Sequence, residues 1–152
     1  MTPPRHLLTV WNPGYASDAL DAHLEVLLGW AELASRGEAD PEEIYVWWAK
    51  LRSTNREQPE LPHAAEISGL QHQIRAGVET HLYLTDYRSL YVALLDEITA
   101  DDVLAETPGE VDHMPHYYHG RQADFWFCIT DGRQLVADDT PLALERRSRY
   151  HQ

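Results

Sequence analysis

The chain has 152 residues, of which 43% are hydrophobic and 10% aromatic. It is therefore long and apolar enough for one globular domain over residues 1–152 and does not belong to the disordered class. The net charge of −13 argues, taken alone, against broad binding of nucleic acid through its phosphates, although Lys50, Arg52 and Arg56 form a local basic cluster. A single cysteine, Cys128, excludes a disulfide framework within the chain and predicts a cytoplasmic protein. No run of about eighteen apolar residues is present, so no membrane span is expected.

The first half of the chain predicts a strand and a helix before its central tryptophans. Residues 6–11 read as a strand that stops at the Asn-Pro-Gly turn signal of residues 12–14. A helix capped by Ser17 or Asp18 follows, and Gly37 ends it. The apolar residues expected on its buried face are Leu20, Leu24, Leu27, Leu28, Ala31 and Ala34.

The next strand, residues 43–52, contains two adjacent tryptophans followed by basic residues. Successive side chains of a strand point to opposite faces, so we expect at most one of the two to be core. Trp47 shares its face with apolar neighbours and is expected in the core. Trp48 shares its face with Lys50 and Arg52, where that face turns toward solvent. Both a core position and a pocket position remain open for Trp48.

The second half predicts two more helices and three more strands. They are a helix over 63–75, hairpin strands over 80–85 and 90–98, an acidic loop over about 99–120, a strand over 123–130 and a basic helix over 141–150. The order of elements is β-α-β-α-β-β-loop-β-α, which is typical of an α+β protein. The chain stops on "RRSRYHQ", so we keep open that it is one domain cut from a longer protein.

Signatures of catalysis are weak in this sequence. There is no glycine-rich phosphate loop, no G-x-S-x-G and no H-E-x-x-H. Cys128 lies in an apolar strand and is expected to be buried and inert. Three imidazoles can hold a zinc ion, but the spacing of His113, His116 and His119 does not place three ligands on one helix face. We therefore expect no catalytic residue, no metal and no cofactor, and interpret the acids of residues 96–112 as a solvated face rather than a magnesium site.

Aromatic residues at strand ends are the feature that points to a function. A ring at the mouth of a curved sheet can stack on a flat heterocycle, and two or three rings can enclose a modified base. The candidate rings are Trp11, Tyr15, Trp48, Tyr83 and Tyr87. Polar side chains that can read the edge of a base are Asn12, Asn55 and Thr85. Basic side chains that can meet flanking phosphates are Lys50, Arg52 and Arg56.

These stretches together resemble the PUA-like superfamily, in particular its EVE and YTH branches, which read modified bases through an aromatic pocket. "LLTVWNPGY" is similar to their first strand and polar turn, which implies pocket roles for Trp11, Asn12 and Tyr15. "YVWWAKLRSTNR" is similar to their tryptophan-bearing strand. It implies Trp48, or else Trp47, as the pocket tryptophan, with Asn55 as the matching asparagine.

The resemblance continues in the second half of the chain. "IRAGVETHLYLTDYRSLYVALLDEI" is similar to the glycine-led strand pair of these domains, and "ADFWFCITDGRQL" is similar to their closing strand. The strand pair implies contacts from Tyr83, Thr85, Asp86 and Tyr87. The fold that the resemblance implies is a small PUA-like mixed or antiparallel β-barrel of about five to six strands with helices packed outside.

The function that the resemblance implies is a reader of a modified or flipped base in DNA or RNA. Any catalysis would belong to a fused or associated nuclease or motor effector, in prokaryotic phage defence or restriction. Two alternatives stay open from the residues themselves. The acidic balance also suits a domain that binds a free nucleotide or nucleoside, and the acidic residues 96–112 also suit a protein-interaction module with a basic partner.

Overall fold

The computed structural model describes residues 4–10, 19–51, 64–85 and 89–137, which form an α+β fold of two helices and one five-stranded mixed sheet. The elements are β1 (Leu7–Val10), α1 (Ala19–Ser35), β2 (Val46–Leu51), α2 (Ala64–Arg75), β3 (His81–Thr85), β4 (Ser89–Thr99) and β5 (Ala123–Ala137). The strand order is β1-β3-β4-β5-β2. The β1–β3 pair is parallel and the other three pairs are antiparallel. The basic helix expected over 141–150 lies outside the described residues.

Both helices that the apolar periodicity predicts are present. α1 ends as expected, because Gly37 takes a φ of +72°, and the Glu38 amide donates to the Leu33 carbonyl over 2.9 Å. One detail of its buried face was wrong, since Leu28 is 68% exposed. Leu28 lies about 100° around the helix from the buried Leu27, which puts it at the margin of the face rather than on it.

The β3–β4 hairpin is confirmed, and β5 is longer than the sequence suggested. The hairpin pairs His81 with Leu94 and Thr85 with Leu90. β5 runs to Ala137 rather than stopping at 130, because its second half pairs with the first half of β4 as far as Ser89. The polar and glycine-containing residues after 130 resemble a turn locally, and long-range pairing overrides that local preference.

The sheet is strongly curved around α1. In a flat sheet of this strand order, β3 and β2 would stand three strand spacings apart, about 14 Å. Yet Leu84 of β3 and Val46 of β2 line one small cavity. The register of β4 against β5 shifts at three places, and such bulges bend strands. Among the described residues β1 pairs only with β3 and β2 only with β5, so a closed barrel is not seen.

Each face of the sheet has its own core. The concave face packs against the helices, with Trp48, Phe127, Leu84 and Leu27 in one apolar cluster. The convex face packs against the segment between β4 and β5, with Trp47, Trp126 and Tyr118 in a second cluster. The expectation that only one of the adjacent tryptophans would be core was therefore wrong. Trp47 and Trp48 are each 4% exposed, because both faces of β2 are covered.

The acidic segment before β5 covers the convex face of the sheet and also exposes acidic side chains to solvent. It contains three short 3₁₀ helices, Leu104–Glu106, Glu110–His113 and His116–Tyr118. Leu104, Ala105, Met114 and Tyr118 are buried against the convex face. The interpretation of its acids as one solvated face is wrong for Glu110, whose carboxylate accepts from Trp47 Nε1 over 2.7 Å and from the Tyr45 hydroxyl over 3.1 Å.

His113 fastens the same segment to α1 and β2. Its ring lies between Trp30, at 4.2 Å between centroids, and Tyr45, at 3.8 Å, with interplanar angles of 10° and 8°. Nδ1 lies 3.0 Å from the Tyr45 carbonyl and Nε2 lies 2.9 Å from a Glu43 carboxylate oxygen. Both partners are acceptors, so a ring nitrogen that carries a proton donates to the oxygen that it faces.

We expect Glu110→Ala to lower the free energy of unfolding by about 2 kcal/mol or more, because two half-buried or buried donors would lose their acceptor. Urea denaturation at pH 7 measures this loss. The control is Glu106→Ala in the same segment, which we expect to change stability by less than about 0.5 kcal/mol since its side chain is exposed. Equal effects of the two substitutions would show that Glu110 does not fasten the segment to the sheet.

Candidate functional site

Most of the site residues expected from the sequence lie outside the described residues. These are Trp11, Asn12, Tyr15, Arg52, Asn55, Arg56, Asp86 and Tyr87. The structure describes Trp48, Lys50, Tyr83 and Thr85. The site is therefore built from these four side chains, from their neighbours, and from the points at which the described strands end.

Trp48 is buried on the concave face, where its ring contacts His23 of α1 at 4.1 Å between centroids and an interplanar angle of 31°. The predicted parity of β2 is confirmed, because Trp47 lies in the convex cluster and Trp48 in the concave one. The face that carries Trp48 does turn to solvent at the end of the strand, since Lys50 is exposed. The role of Trp48 as a pocket wall stays a prediction.

A small cavity lies against Trp48, between α1 and the sheet. Its volume is about 20 Å³, room for one water-sized group. The walls come from both halves of the curved sheet and from the first turns of α1. They include Trp48, Tyr91, Leu84, Leu20 and His23. The lining is almost entirely apolar, and three of these five side chains are rings.

His23 and Tyr91 are rings in the cavity wall that the sequence interpretation did not select, and His23 is the more informative of the two. Its Nδ1 donates to the Ala19 carbonyl over 2.6 Å, and its Nε2 has no hydrogen-bond partner among the described residues. Burial lowers the pKa of His23 from 6.5 to about 4, opposed in part by the backbone of Ala19 and of Trp47. The ring is therefore neutral at pH 7. A signal existed, since His23 lies three residues after Leu20 and four before Leu27, on the apolar face.

The cavity lies beneath one particular end of the sheet. β1 and β3 finish side by side, with Val10 paired to Thr85. Leu84 and Tyr91, which pair with each other one residue inside that end, line the cavity. α1 begins beside it at Ala19. Trp11, Asn12, Tyr15 and Tyr87 lie outside the described residues, in the segments 11–18 and 86–88 that join β1 to α1 and β3 to β4.

The other described candidates do not line this cavity. Tyr83 is half-buried beside His6 and His81, each at 6.2 Å between ring centroids, on the face of β3 opposite Leu84. Thr85 is fully buried. Lys50 lies near the end of β2, where Leu51 pairs with Ala123 at the start of β5, whereas the cavity end of the sheet pairs Ser89 with Ala137 at the other end of β5. The register therefore separates Lys50 from the ends of β1 and β3.

The histidine cluster and Cys128 lie away from this cavity. The described residues contain no group of three side chains placed to hold a metal ion. Both nitrogens of His113 face protein acceptors, and His119 Nε2 donates to the Val111 carbonyl over 2.8 Å. Cys128 is buried as predicted, and burial raises the pKa of its thiol. In the described part of the chain, neither helix is long and apolar enough to cross a membrane.

No protein-family model, no curated protein and no solved structure matches this chain at a significant level.

We expect acid to destabilise the protein through His23. Its folded pKa of about 4 lies below the ordinary 6.5, so between these values the unfolded chain takes up a proton that the folded chain excludes. Stability is thus lost as the pH falls from about 6.5 to about 4, by roughly 3 kcal/mol at 1.36 kcal/mol per pKa unit. Urea denaturation between pH 7 and pH 4 should show that His23→Gln flattens this dependence.

The matched control for this experiment is His72→Gln, because His72 is exposed on α2. We expect this variant to keep the pH dependence of the parent protein. Carboxylates titrate in the lower part of the same range, so the informative quantity is the difference in slope between variant and parent. If His23→Gln and the parent have the same slope, His23 is not held neutral in the fold.

Proposed function

We propose that this chain is a non-catalytic binding domain that takes a modified or flipped base of DNA or RNA at the end of the sheet where β1 and β3 finish. The observation that carries the proposal is the cavity against Trp48, which lies beneath that end. The resemblance implies Trp48, or else Trp47, as the pocket tryptophan, and the cavity lies against Trp48. Its neighbours at the cavity, Tyr91 and His23, add two further rings.

The chemistry of the cavity suits part of an uncharged base. Its wall is mostly apolar, and His23 in that wall is neutral at pH 7. A volume of about 20 Å³ is too small for a base ring and sufficient for a group the size of a methyl. In this proposal the substituent of a modified base enters the cavity, and the ring stacks at its mouth. Aromatic stacking of this kind contributes about 1–3 kcal/mol per base.

Most of the remaining candidate residues take the roles that the resemblance implies. Trp11, Tyr15 and Tyr87 supply rings, and Asn12 and Asn55 supply polar groups for the edge of the base. Tyr83 and Thr85, on the face of β3 opposite the cavity-lining Leu84, take no part in this pocket. Lys50, Arg52 and Arg56 meet phosphates of flanking nucleotides, at a distance from the base. The curvature of the sheet supports a PUA-like barrel, since β2 and β3 both reach the cavity. An effector with catalytic activity, fused or associated, would complete a role in prokaryotic phage defence or restriction.

A free nucleoside or nucleotide is a second candidate ligand, favoured by two observations. The net charge of −13 opposes a long strand of phosphates. Lys50, the one phosphate-contact candidate that the structure describes, lies at the end of the sheet away from the cavity. Salt separates the candidates, because binding of a strand weakens steeply as salt rises and binding of a nucleoside does not.

The test measures the affinity of the full chain for oligonucleotides that carry 5-methylcytosine or N6-methyladenine, beside their unmodified counterparts. Burying one methyl group contributes about 0.8 kcal/mol, so we expect at least one methylated oligonucleotide to bind about fourfold tighter or better. Trp48→Phe should weaken binding. Ala93→Val adds methyl groups beside the cavity that Ala93 lines, and should remove the preference for the methylated base.

Trp30→Phe is the matched control, because Trp30 stacks on His113 and does not line the cavity. We expect it to leave both the affinity and the methyl preference unchanged. Isothermal titration calorimetry gives the affinities, and circular dichroism verifies that each variant is folded. Equal affinity of methylated and unmodified ligands, unaffected by Trp48→Phe, would rule out the proposed pocket.

A further inference from the structure

One stretch of β4 has an open edge beside α2. The β3–β4 ladder ends at the pair His81–Leu94 and is extended only by the Leu95 amide, which donates to the Thr80 carbonyl over 2.8 Å. β4 then continues to Thr99, paired in the described part of the chain with β5 alone. A strand edge of this kind presents backbone donors and acceptors to any segment that can lie beside it.

The backbone of Ile98 faces this open edge. Gln71 Nε2 of α2 donates to the Ile98 carbonyl over 2.7 Å. In an extended strand the amide and the carbonyl of one residue point to the same side, so the Ile98 amide faces α2 as well. Between α2 and β4 lies a groove of about 240 Å³, lined by Gln71, Ile74, Arg75, Asp96, Glu97 and Ile98.

The charges of the groove determine which partner fits it. Asp96 and Glu97 are exposed carboxylates, and no ion pair engages either of them or Arg75 in the described part of the chain. The whole chain is strongly acidic, with a net charge of −13. A second copy of this chain would bring Asp96 and Glu97 against equal charges, which disfavours self-pairing of the edge. A nucleic acid strand would meet the same repulsion.

We propose that the groove between α2 and β4 binds an extended, basic peptide segment of a partner protein, which adds to β4 as a further strand. A backbone amide of the peptide donates to the Ile98 carbonyl in place of the side-chain amide of Gln71. Lys or Arg side chains of the peptide pair with Asp96 and Glu97. Backbone hydrogen bonds supply affinity in this mode of recognition, and side chains supply specificity. This surface goes beyond the proposed base-binding function and does not depend on it.

The probe is a fluorescein-labelled peptide of about ten residues in which arginine alternates with valine, and fluorescence anisotropy with the full chain gives its dissociation constant. The second peptide has the same sequence, with N-methyl groups on alternate backbone amides, so that its charge is kept and its strand hydrogen bonds are lost. We expect the N-methylated peptide to bind at least about tenfold weaker, a difference of about 1.4 kcal/mol. This comparison uses the unchanged protein and so does not depend on the folding of any variant.

Two double variants with the same change in net charge test the location. Asp96→Lys/Glu97→Lys should weaken binding of the unmethylated peptide by about tenfold or more, because like charges would then face each other. Asp101→Lys/Glu106→Lys changes exposed acids outside the groove and should weaken binding less than about threefold, through long-range attraction alone. Hydrogen exchange should show that the peptide protects the Ile98 amide.

Several results would overturn this inference. Equal losses in the two double variants would mean that the peptide senses only net charge. Equal binding of the N-methylated peptide, or an Ile98 amide left unprotected by the bound peptide, would mean that no strand is added. Protection of the Ile98 amide that rises with protein concentration in the absence of peptide would assign the edge to a second copy of the chain instead.

Discussion

The arrangement of this fold follows from two adjacent tryptophans on a strand at the edge of the sheet. Trp47 and Trp48 must point to opposite faces of β2, and both are buried. Each face of the sheet therefore needs its own cover. The helices cover the concave face, and the three 3₁₀ helices between β4 and β5 cover the convex face. Glu110 and His113 hold the second cover in place through bonds to Trp47 and Tyr45.

Two separate surfaces of the molecule carry features that a ligand or partner could use. On the concave side, the curvature of the sheet brings Trp48 of β2 and Leu84 of β3 to the wall of one small apolar cavity, near the ends of β1 and β3. The neutral ring of His23 lines the same cavity. On β4, the short β3 leaves residues 96–99 paired with β5 alone in the described part of the chain, next to α2, where no ion pair among the described residues engages Asp96 or Glu97. The first place has room for a small uncharged group, and the second presents a strand edge beside two carboxylates.

The sequence allowed prediction wherever a local pattern determines the structure. The apolar periodicity of α1 and α2, the parity of β2 and the β3–β4 hairpin are confirmed. The convex layer was not predictable in this way, because 3₁₀ helices have no 3.6-residue period and Leu104, Met114 and Tyr118 are buried only by long-range contact. The sequence around Glu110 is acidic, and nothing in it indicates that this carboxylate accepts hydrogen bonds from Trp47 and Tyr45. His23 could have been found, since it interrupts an apolar helix face with a polar ring.

The central claim is that the substituent of a modified base enters the cavity against Trp48. The most direct measurement is a nuclear Overhauser experiment on the full chain, with the indole of tryptophan labelled and 5-methylcytidine or N6-methyladenosine as ligand. The account predicts contacts from the ligand methyl protons to the Trp48 ring and to the methyl groups of Leu84. Contacts to Trp30 instead of Trp48, or saturable binding without any contact to Trp48, would contradict it.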